Sequence, residues 1–507
     1  MHGPELSWNP VLGLCRQNAP GHTAPVARLA QVHNGVISVN HLCVRAQQGR
    51  MDPVELLQSL RSFRAMQVTE LNDLQGCLRW YWEEPEPVDT NASFFIGLAL
   101  QMLYLAEPEK LCPAARASIR EIVQDLAIWF GHELAVADPR YPNKCMGDLV
   151  CSWLATEILE VKPSAQLRQT TRAWCDYWTR ENWGWGEHMS DIYTMVLLTE
   201  LSAVLLFCPK LPPDISELFR AKFFQLMDIE DAFTGGPRVP VIRSYAFNAT
   251  PELMPFRSFI RAELPPGIVS RGSHPSVTVQ KLAEVFGVWF HRAGWEKMAP
   301  PKLTPAPWVE IACRDGAVAR AMVTPILRLG AMSHYPIMEG VDHQTWGLSW
   351  QTFPAALWRP RGDWAFWRWT TREGDRVRAH PALDKHSAYL GNALSARVDP
   401  PPIPRMKSNL TSGGPLLMER SLPVPAGANW EELCDAFCLL GSDAKVTAED
   451  RQLSLEWSDC TVRVKFRGET MPEWKPAETG GQWVVHYDRA SLAGRECITH
   501  HWELALV

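Results

Sequence analysis

Asn182-Trp183-Gly184-Trp185-Gly186-Glu187-His188-Met189-Ser190-Asp191-Ile192-Tyr193 separates two long helical patterns, Ser164 to Arg180 before it and Met195 to Phe207 after it. The second pattern is almost wholly apolar, so its helix is expected to be buried on most sides. Gly184 and Gly186 let the chain turn sharply between the two. Trp183 and Trp185, exposed at such a turn, offer flat faces for an apolar ligand surface such as a sugar ring. The plainer reading is a packed helix–helix corner. The helical stretch is expected to run from His188 to Phe207, with Glu187, His188, Asp191 and Tyr193 crowded at its first turns. That gathers acids, an imidazole and a phenol where unpaired N–H groups favour negative charge. The same acids also suit a simple helix start.

Upstream, Asp52-Pro53-Val54-Glu55 reads as an N-cap followed by proline at the first helical position, with Leu56, Leu57, Leu60 and Phe63 at helical spacing. Further helices are expected over Asp89 to Leu105, Pro113 to Leu134, Met146 to Leu159, Asp214 to Met227 and Val277 to Ala293. Proline-containing breakers separate them. Such helices, joined by short links, form antiparallel hairpins in a bundle, a solenoid or a closed toroid. Residues 1–50 lack periodicity and read as an irregular segment. Residues 230–275 are a long proline- and glycine-rich excursion that contains Arg243-Ser244-Tyr245, and loops of that length are often functional.

Pro300, Pro301, Pro305 and Pro307 mark a boundary, after which the pattern becomes strand-like. Short runs at Trp308 to Ile311, Ala317 to Val323, Leu416 to Ser421, Gln452 to Trp457, Cys460 to Phe466, Gln482 to Tyr487 and Thr499 to Leu506 read as an antiparallel sandwich. Thr461 to Phe466 alternates most clearly, one face buried and one wet. The expected domains are an irregular segment at 1–50, a helical domain at 51–298 and a β-sandwich at 308–507.

The net charge of −6 carries no basic run, which sets nucleic acid aside. No apolar run reaches the roughly 18 residues of a membrane span. The N-terminus has no basic region followed by an apolar one, so a cytoplasmic location is expected, or a periplasmic or secreted one if a signal peptide has been removed. The 13 cysteines are scattered without zinc-finger spacing and read as reduced, mostly buried thiols. Of the 23 tryptophans, Trp346, Trp350, Trp358, Trp364, Trp367 and Trp369 fall close together. They fit a carbohydrate-binding cleft or, alternatively, a tryptophan-rich core. The stretch Met332 to Trp350 holds His334, Tyr335, Glu339, Asp342, His343 and Trp346, a second concentration of titratable side chains. Asp342 and His343 with His334 also offer ligands for a structural divalent metal in the sandwich, although their spacing is not diagnostic. No cofactor is required. His500 and His501 fall on a terminal strand with alternate faces and are expected to have no function.

The helical first half, the sandwich second half and the Glu187-His188 pair with Tyr245 downstream resemble the polysaccharide lyases of the heparinase II/III and oligoalginate lyase type. The resemblance implies an N-terminal (α/α) toroid of helical hairpins followed by an antiparallel β-sandwich. It also implies β-elimination on a uronic-acid glycan. Such a reaction removes the C5 proton and expels the 4-O-linked sugar, so it needs a base, an acid and donors that relieve charge on the uronate carboxylate. By this resemblance Tyr245 acts as base or acid, His188 as neutraliser or base, and His334 or His343 comes from the sandwich side. Glu187 stands where the family often has an asparagine, with Asn182 as a substitute amide donor. Arg243 suits bidentate capture of a carboxylate or sulfate. Trp183, Trp185, Tyr193, Tyr335 and Trp346 complete the expected substrate-binding set, and the expected partner is an acidic glycan. A glycoside hydrolase, a uronate C5-epimerase and a non-catalytic glycan-binding protein are the competing readings.

Overall fold

The computed structural model describes residues 6–184, 186–244, 256–263, 275–300, 306–335, 353–373, 376–379, 405–424, 433–441, 443–487 and 489–507. The helical part comprises α1 (Gly35–Gln47), α2 (Pro53–Met66), α3 (Ala92–Ala106), α4 (Pro113–Val136), α5 (Pro142–Leu159), α6 (Ala165–Arg180), α7 (Tyr193–Phe207), α8 (Pro213–Ala232), α9 (Pro275–Arg292) and the short α10 (Trp295–Met298). Proline opens α2, α4 and α5, where its missing N–H costs nothing. Asp52 caps α2 by accepting from Val54 N at 2.7 Å.

Helices α1, α3, α5, α7 and α9 touch in that order, and α9 returns to α1. They form a closed inner ring, with α2, α4 and α6 neighbouring one another in an outer layer. Burial follows from this arrangement. In α7 every residue from Tyr193 to Val204 is buried, as an inner helix with neighbours on all sides requires. In α6 only Leu167, Thr171, Trp174, Cys175 and Trp178 are buried, a single stripe. The ring is fastened where it closes: Gln47 Nε2 donates to Val285 O at 2.7 Å. Glu107, just past α3, accepts from Trp289 Nε1 and Arg292 Nη1 of α9, both at 2.9 Å.

The strands β1 (Leu6–Asn9), β2 (Leu14–Gln17) and β3 (Val32–Asn34) form a small antiparallel sheet before α1. The segment expected to be irregular over 1–50 therefore holds a sheet and a full helix. The Asn34 side chain caps α1 by accepting from Ile37 N at 3.1 Å.

The sandwich strands are β4 (Trp308–Ala312), β5 (Val318–Val323), β6 (Arg328–Met332), β7 (Ala355–Trp358), β8 (Trp364–Glu373), β9 (Arg376–Ala379), β10 (Arg405–Asn409), β11 (Leu416–Pro423), β12 (Leu433–Leu440), β13 (Lys445–Glu449), β14 (Gln452–Glu456), β15 (Thr461–Arg467), β16 (Glu473–Pro476), β17 (Gly481–Tyr487) and β18 (Cys497–Leu506), with a short helix α11 (Arg489–Leu492) before the last. One sheet has the order β10-β11-β18-β15-β14-β13. The other runs β16-β17-β12-β8-β7-β6-β5-β4, with β9 also paired to β8. All these pairings are antiparallel. Trp502 of the first sheet meets Trp367 and Trp483 of the second edge-on, with centroids 6.2 and 5.7 Å apart. The fold is thus a ring of helical hairpins followed by an antiparallel sandwich.

Two compact units divide the chain. One contains Met1–Arg180, Ile192–Glu230 and Pro255–Pro301; the other contains Glu181–Asp191, Asp231–Met254 and Lys302–Val507. Two segments that lie among the helices in sequence therefore belong to the sandwich unit. All 13 cysteines are free thiols. Among the described residues no helix is long and apolar enough to cross a membrane.

Candidate functional site

The linker after α6 is held in an uncommon backbone conformation. Asn182, Trp183, Gly184 and Gly186 have φ of 45°, 65°, 59° and 96°. For a tryptophan this left-handed conformation costs on the order of 1–3 kcal/mol and persists only where its surroundings enforce it. Here Trp183 is fully buried, and Asn182 Nδ2 donates to Cys313 O at 3.2 Å. The expectation that Trp183 stacks on a ligand is corrected: its ring is a core peg. Gly186 lies flat on Ile242, where an added Cβ would sit 3.0 Å from the side chain.

Glu187–Met189 then form a single 3-10 turn, and α7 starts only at Tyr193. The helix expected from His188 is interrupted because Ser190 is extended and bridges to Arg243 in parallel. Tertiary pairing takes the backbone groups that a first helical turn would have used.

The excursion after α8 supplies that pairing. Arg328 of β6 donates to Phe233 O and Pro237 O at 2.9 Å each and to Thr234 O at 2.7 Å, gripping the turn. Val239 then crosses Gly330 of β6, where a Cβ would lie 2.2 Å from Val239 O, so only glycine admits the approach. Val241 and Phe353 exchange both backbone hydrogen bonds, at 3.1 and 2.8 Å. Val239 and Val241 pack with Phe353, Trp358, Trp364 and Phe366 in one core cluster. Ile242 N donates to Met189 O at 2.8 Å, and Ser190 Oγ to Arg243 O at 2.7 Å. The described part of the excursion thus runs from the sheet to the linker, as far as Ser244.

Where the two segments meet, polar side chains pair. Arg243 Nη1 donates to Glu187 Oε1 at 2.5 Å, and Ser244 Oγ to Asp191 Oδ2 at 2.5 Å. Glu187, His188, Ser190, Asp191, Arg243 and Ser244 are each 3% exposed or less. Removing such charges from water is tolerable only in pairs. The expected division of labour is corrected accordingly: Glu187 and Arg243 satisfy each other. Neither stands as an independent group facing a substrate carboxylate.

His188 Nε2 lies 3.3 Å from Ala312 O and 3.5 Å from Cys313 Sγ. Burial pushes the Cys313 thiol up to about 12, so this is no thiolate–imidazolium pair. His334, just past β6, places Nε2 3.2 Å from Asp315 O and Nδ1 3.3 Å from Ser333 Oγ. The turn between β4 and β5 therefore anchors three of the expected site residues: Asn182 through Cys313, His188 through Ala312, and His334 through Asp315. Sequence reasoning missed this turn as part of the site. Its Asp315-Gly316 pair signals a hairpin, but nothing local shows what docks on it.

Tyr193 opens α7 in the helical unit and is buried. Tyr335 is buried too, its N–H donating to Met406 O at 3.3 Å. Trp358, Trp364 and Trp367 are core residues, which corrects the carbohydrate-cleft reading for these members of the cluster. Trp185, Tyr245, His343 and Trp346 lie outside the described residues, as do Glu339 and Asp342. Among the described residues no three His, Cys, Asp or Glu gather as a metal site.

No family model matches the chain, and no curated protein does. Among solved structures it is similar to a heparinase III with methylated lysines, at 8% identity and a TM-score of 0.34, over 93% of this chain and 76% of that one. It is also similar to the endoglucanase CelQ from Clostridium thermocellum complexed with cellotetraose, at 9% identity and a TM-score of 0.25, over 93% and 83%. Likenesses this distant leave the chemistry to be argued from the side chains.

Proposed function

We propose that the chain is a glycan-active enzyme, and specifically a lyase that cleaves a uronic-acid-containing polysaccharide or oligosaccharide by β-elimination. The observation that carries the reading is the backbone-paired platform of residues 186–191 and 241–244. It holds His188 against the turn at 312–315 that also anchors His334, and Tyr245 follows Ser244 directly in sequence. In the proposed reaction the C5–H bond breaks, its electron pair forms the C4–C5 double bond, and the C4–O4 bond breaks. Tyr245 takes the C5 proton and returns one to O4, while His188 and His334 serve as donors to the uronate carboxylate as charge builds. Glu187 and Arg243 act as positioning residues that hold the platform. The buried pairing of Glu187 with Arg243 and of Asp191 with Ser244 weighs against the hydrolase alternative, which needs two carboxylates directed at one bond.

The test is ultraviolet absorbance of the unsaturated product across a panel of uronate polymers and oligomers. Tyr245→Phe is expected to lower the rate by about 10²–10⁴-fold with the thermal midpoint unchanged. A flat trace on every substrate sinks the lyase reading. A rise that survives Tyr245→Phe keeps the lyase and removes Tyr245 from the chemistry.

A further inference from the structure

The outer face of the sheet β10-β11-β18-β15 carries an open groove of about 760 Å³, lined by Lys407, Glu419, His501, Arg467 and their neighbours. Strand alternation builds it: Met418, Arg420, His500, Trp502 and Phe466 point inward and are buried, so the residues between them face out. Register then lines those residues up across the strands. Lys407 is opposite Glu419, Glu419 opposite His501, and His501 opposite Arg467. At the β10 edge Lys407 faces His334 across an antiparallel bridge. Directly opposed residues share a face, so one row runs His334, Lys407, Glu419, His501, Arg467. A flanking row holds Asn409, Leu417, Glu503 and Lys465, and the next Arg405, Ser421 and Thr499.

The charge of this face opposes that of the whole chain. Arg405, Lys407, Arg463, Lys465 and Arg467 stand against Glu419 and Glu503 on a protein of net charge −6. Glu503 takes Lys465 at 3.7 Å and Arg467 at 3.3 Å. Among the described residues Arg405, Lys407 and Arg463 have no carboxylate partner. Neighbouring strands are roughly 5 Å apart, so Lys407 and Arg467 lie about 14 Å from each other, far enough to hold two anionic groups of one extended chain.

We propose that this face is a binding surface for an acidic polysaccharide, separate from the site of turnover and reaching it at His334. Its cations would take carboxylates or sulfates, and Asn409, Ser421 and Thr499 would take sugar hydroxyls. Nucleic acid fits less well, because the groove's tryptophan, Trp502, is turned into the core and offers no ring for a base to stack on. The surface holds glycan whether or not the reaction proposed above is the right one.

The experiment measures binding of the full chain to alginate and polygalacturonate oligomers by calorimetry at low salt, in a Tyr245→Phe background so that no turnover intervenes. Lys407→Ala with Arg467→Ala is compared with Lys445→Ala, an exposed cation 3.3 Å from Glu456 on the far edge of the same sheet. The paired substitution is expected to weaken binding about tenfold, with Lys445→Ala neutral and the thermal midpoint unmoved. Affinity should fall with added salt, and a neutral glucan should not bind. Affinity unchanged by the paired substitution overturns the proposal. So does equal affinity for single-stranded DNA, which would make the face a general polyanion surface. Separately, the paired variant with Tyr245 intact distinguishes the two ideas: lost binding with turnover of a short oligomer retained supports the surface independently of the reaction.

Discussion

The pair Glu187–Arg243 sets the terms at the residue scale. Both side chains are buried, and their hydrogen bond joins segments 56 positions apart in sequence. Arg243→Met leaves Glu187 buried without its cation and is expected to cost about 3–5 kcal/mol in denaturant unfolding. The double change with Glu187→Leu should recover much of that. A single variant within 1 kcal/mol of the parent would show that the pair does not hold the platform. Lys222 is a second buried charge, on the inward face of α8, with Nζ donating to Gln225 Oε1 at 3.2 Å. Burial pulls its pKa down to about 8. The folded state therefore disfavours the charge. The penalty is fully present below about pH 8 and disappears as pH rises past its ordinary value near 10.5. Lys222→Met is expected to raise stability by about 1–3 kcal/mol at pH 7, and the gain should shrink toward pH 10.5. A gain that does not change with pH would assign the effect to packing instead.

At the scale of elements, the two sheets are joined by a buried polar knot. Asp435 of β12 accepts from Arg420 Nε of β11 at 3.0 Å and from Trp502 Nε1 of β18 at 3.1 Å, with His500 Nδ1 3.0 Å away. Burial pushes the Asp435 carboxyl up, but Arg420 and His500 more than offset this and hold it below the usual range. Its contribution is present above the ordinary carboxylate pKa near 3.9 and is lost as pH falls through the lower folded value. Asp435→Asn should cost about 3–5 kcal/mol at neutral pH and flatten the acid limb of the unfolding profile. An acid limb identical to the parent's would exclude this group from acid unfolding. The alternation of β15 was legible in the sequence, and the N-cap at Asp52 was too. Strand β12 was not, because Leu433 to Leu440 lies in a sheet covered on both faces and so reads as an apolar run, interrupted at Asp435, with no alternation.

For the whole molecule, the sandwich unit takes in residues 181–191 and 231–254 from among the helices. Val239 and Val241 cover the sheet surface formed by Phe353, Trp358, Trp364 and Phe366. A fragment of residues 302–507 therefore exposes that surface and is expected to aggregate or to bind hydrophobic dyes. Adding residues 231–254 should improve its solubility. A monomeric fragment with a cooperative melt and no dye binding would show that the excursion is dispensable to the sandwich.

The sequence by itself determined the succession of helices and then strands and the burial of α7, because apolar periodicity and turn chemistry are local. It did not show that α1 begins at Gly35, since the cap that starts it, Asn34, closes a strand pairing made earlier in the chain. Nor could it show that Glu187 serves Arg243, that His188 and His334 rest on one turn, or that Trp183 and Trp364 are core rather than ligand surface. Those outcomes depend on which backbones meet after the chain has closed its ring and stacked its sheets. A side chain's role follows from its neighbours and its access to water, and only the tertiary structure decides both.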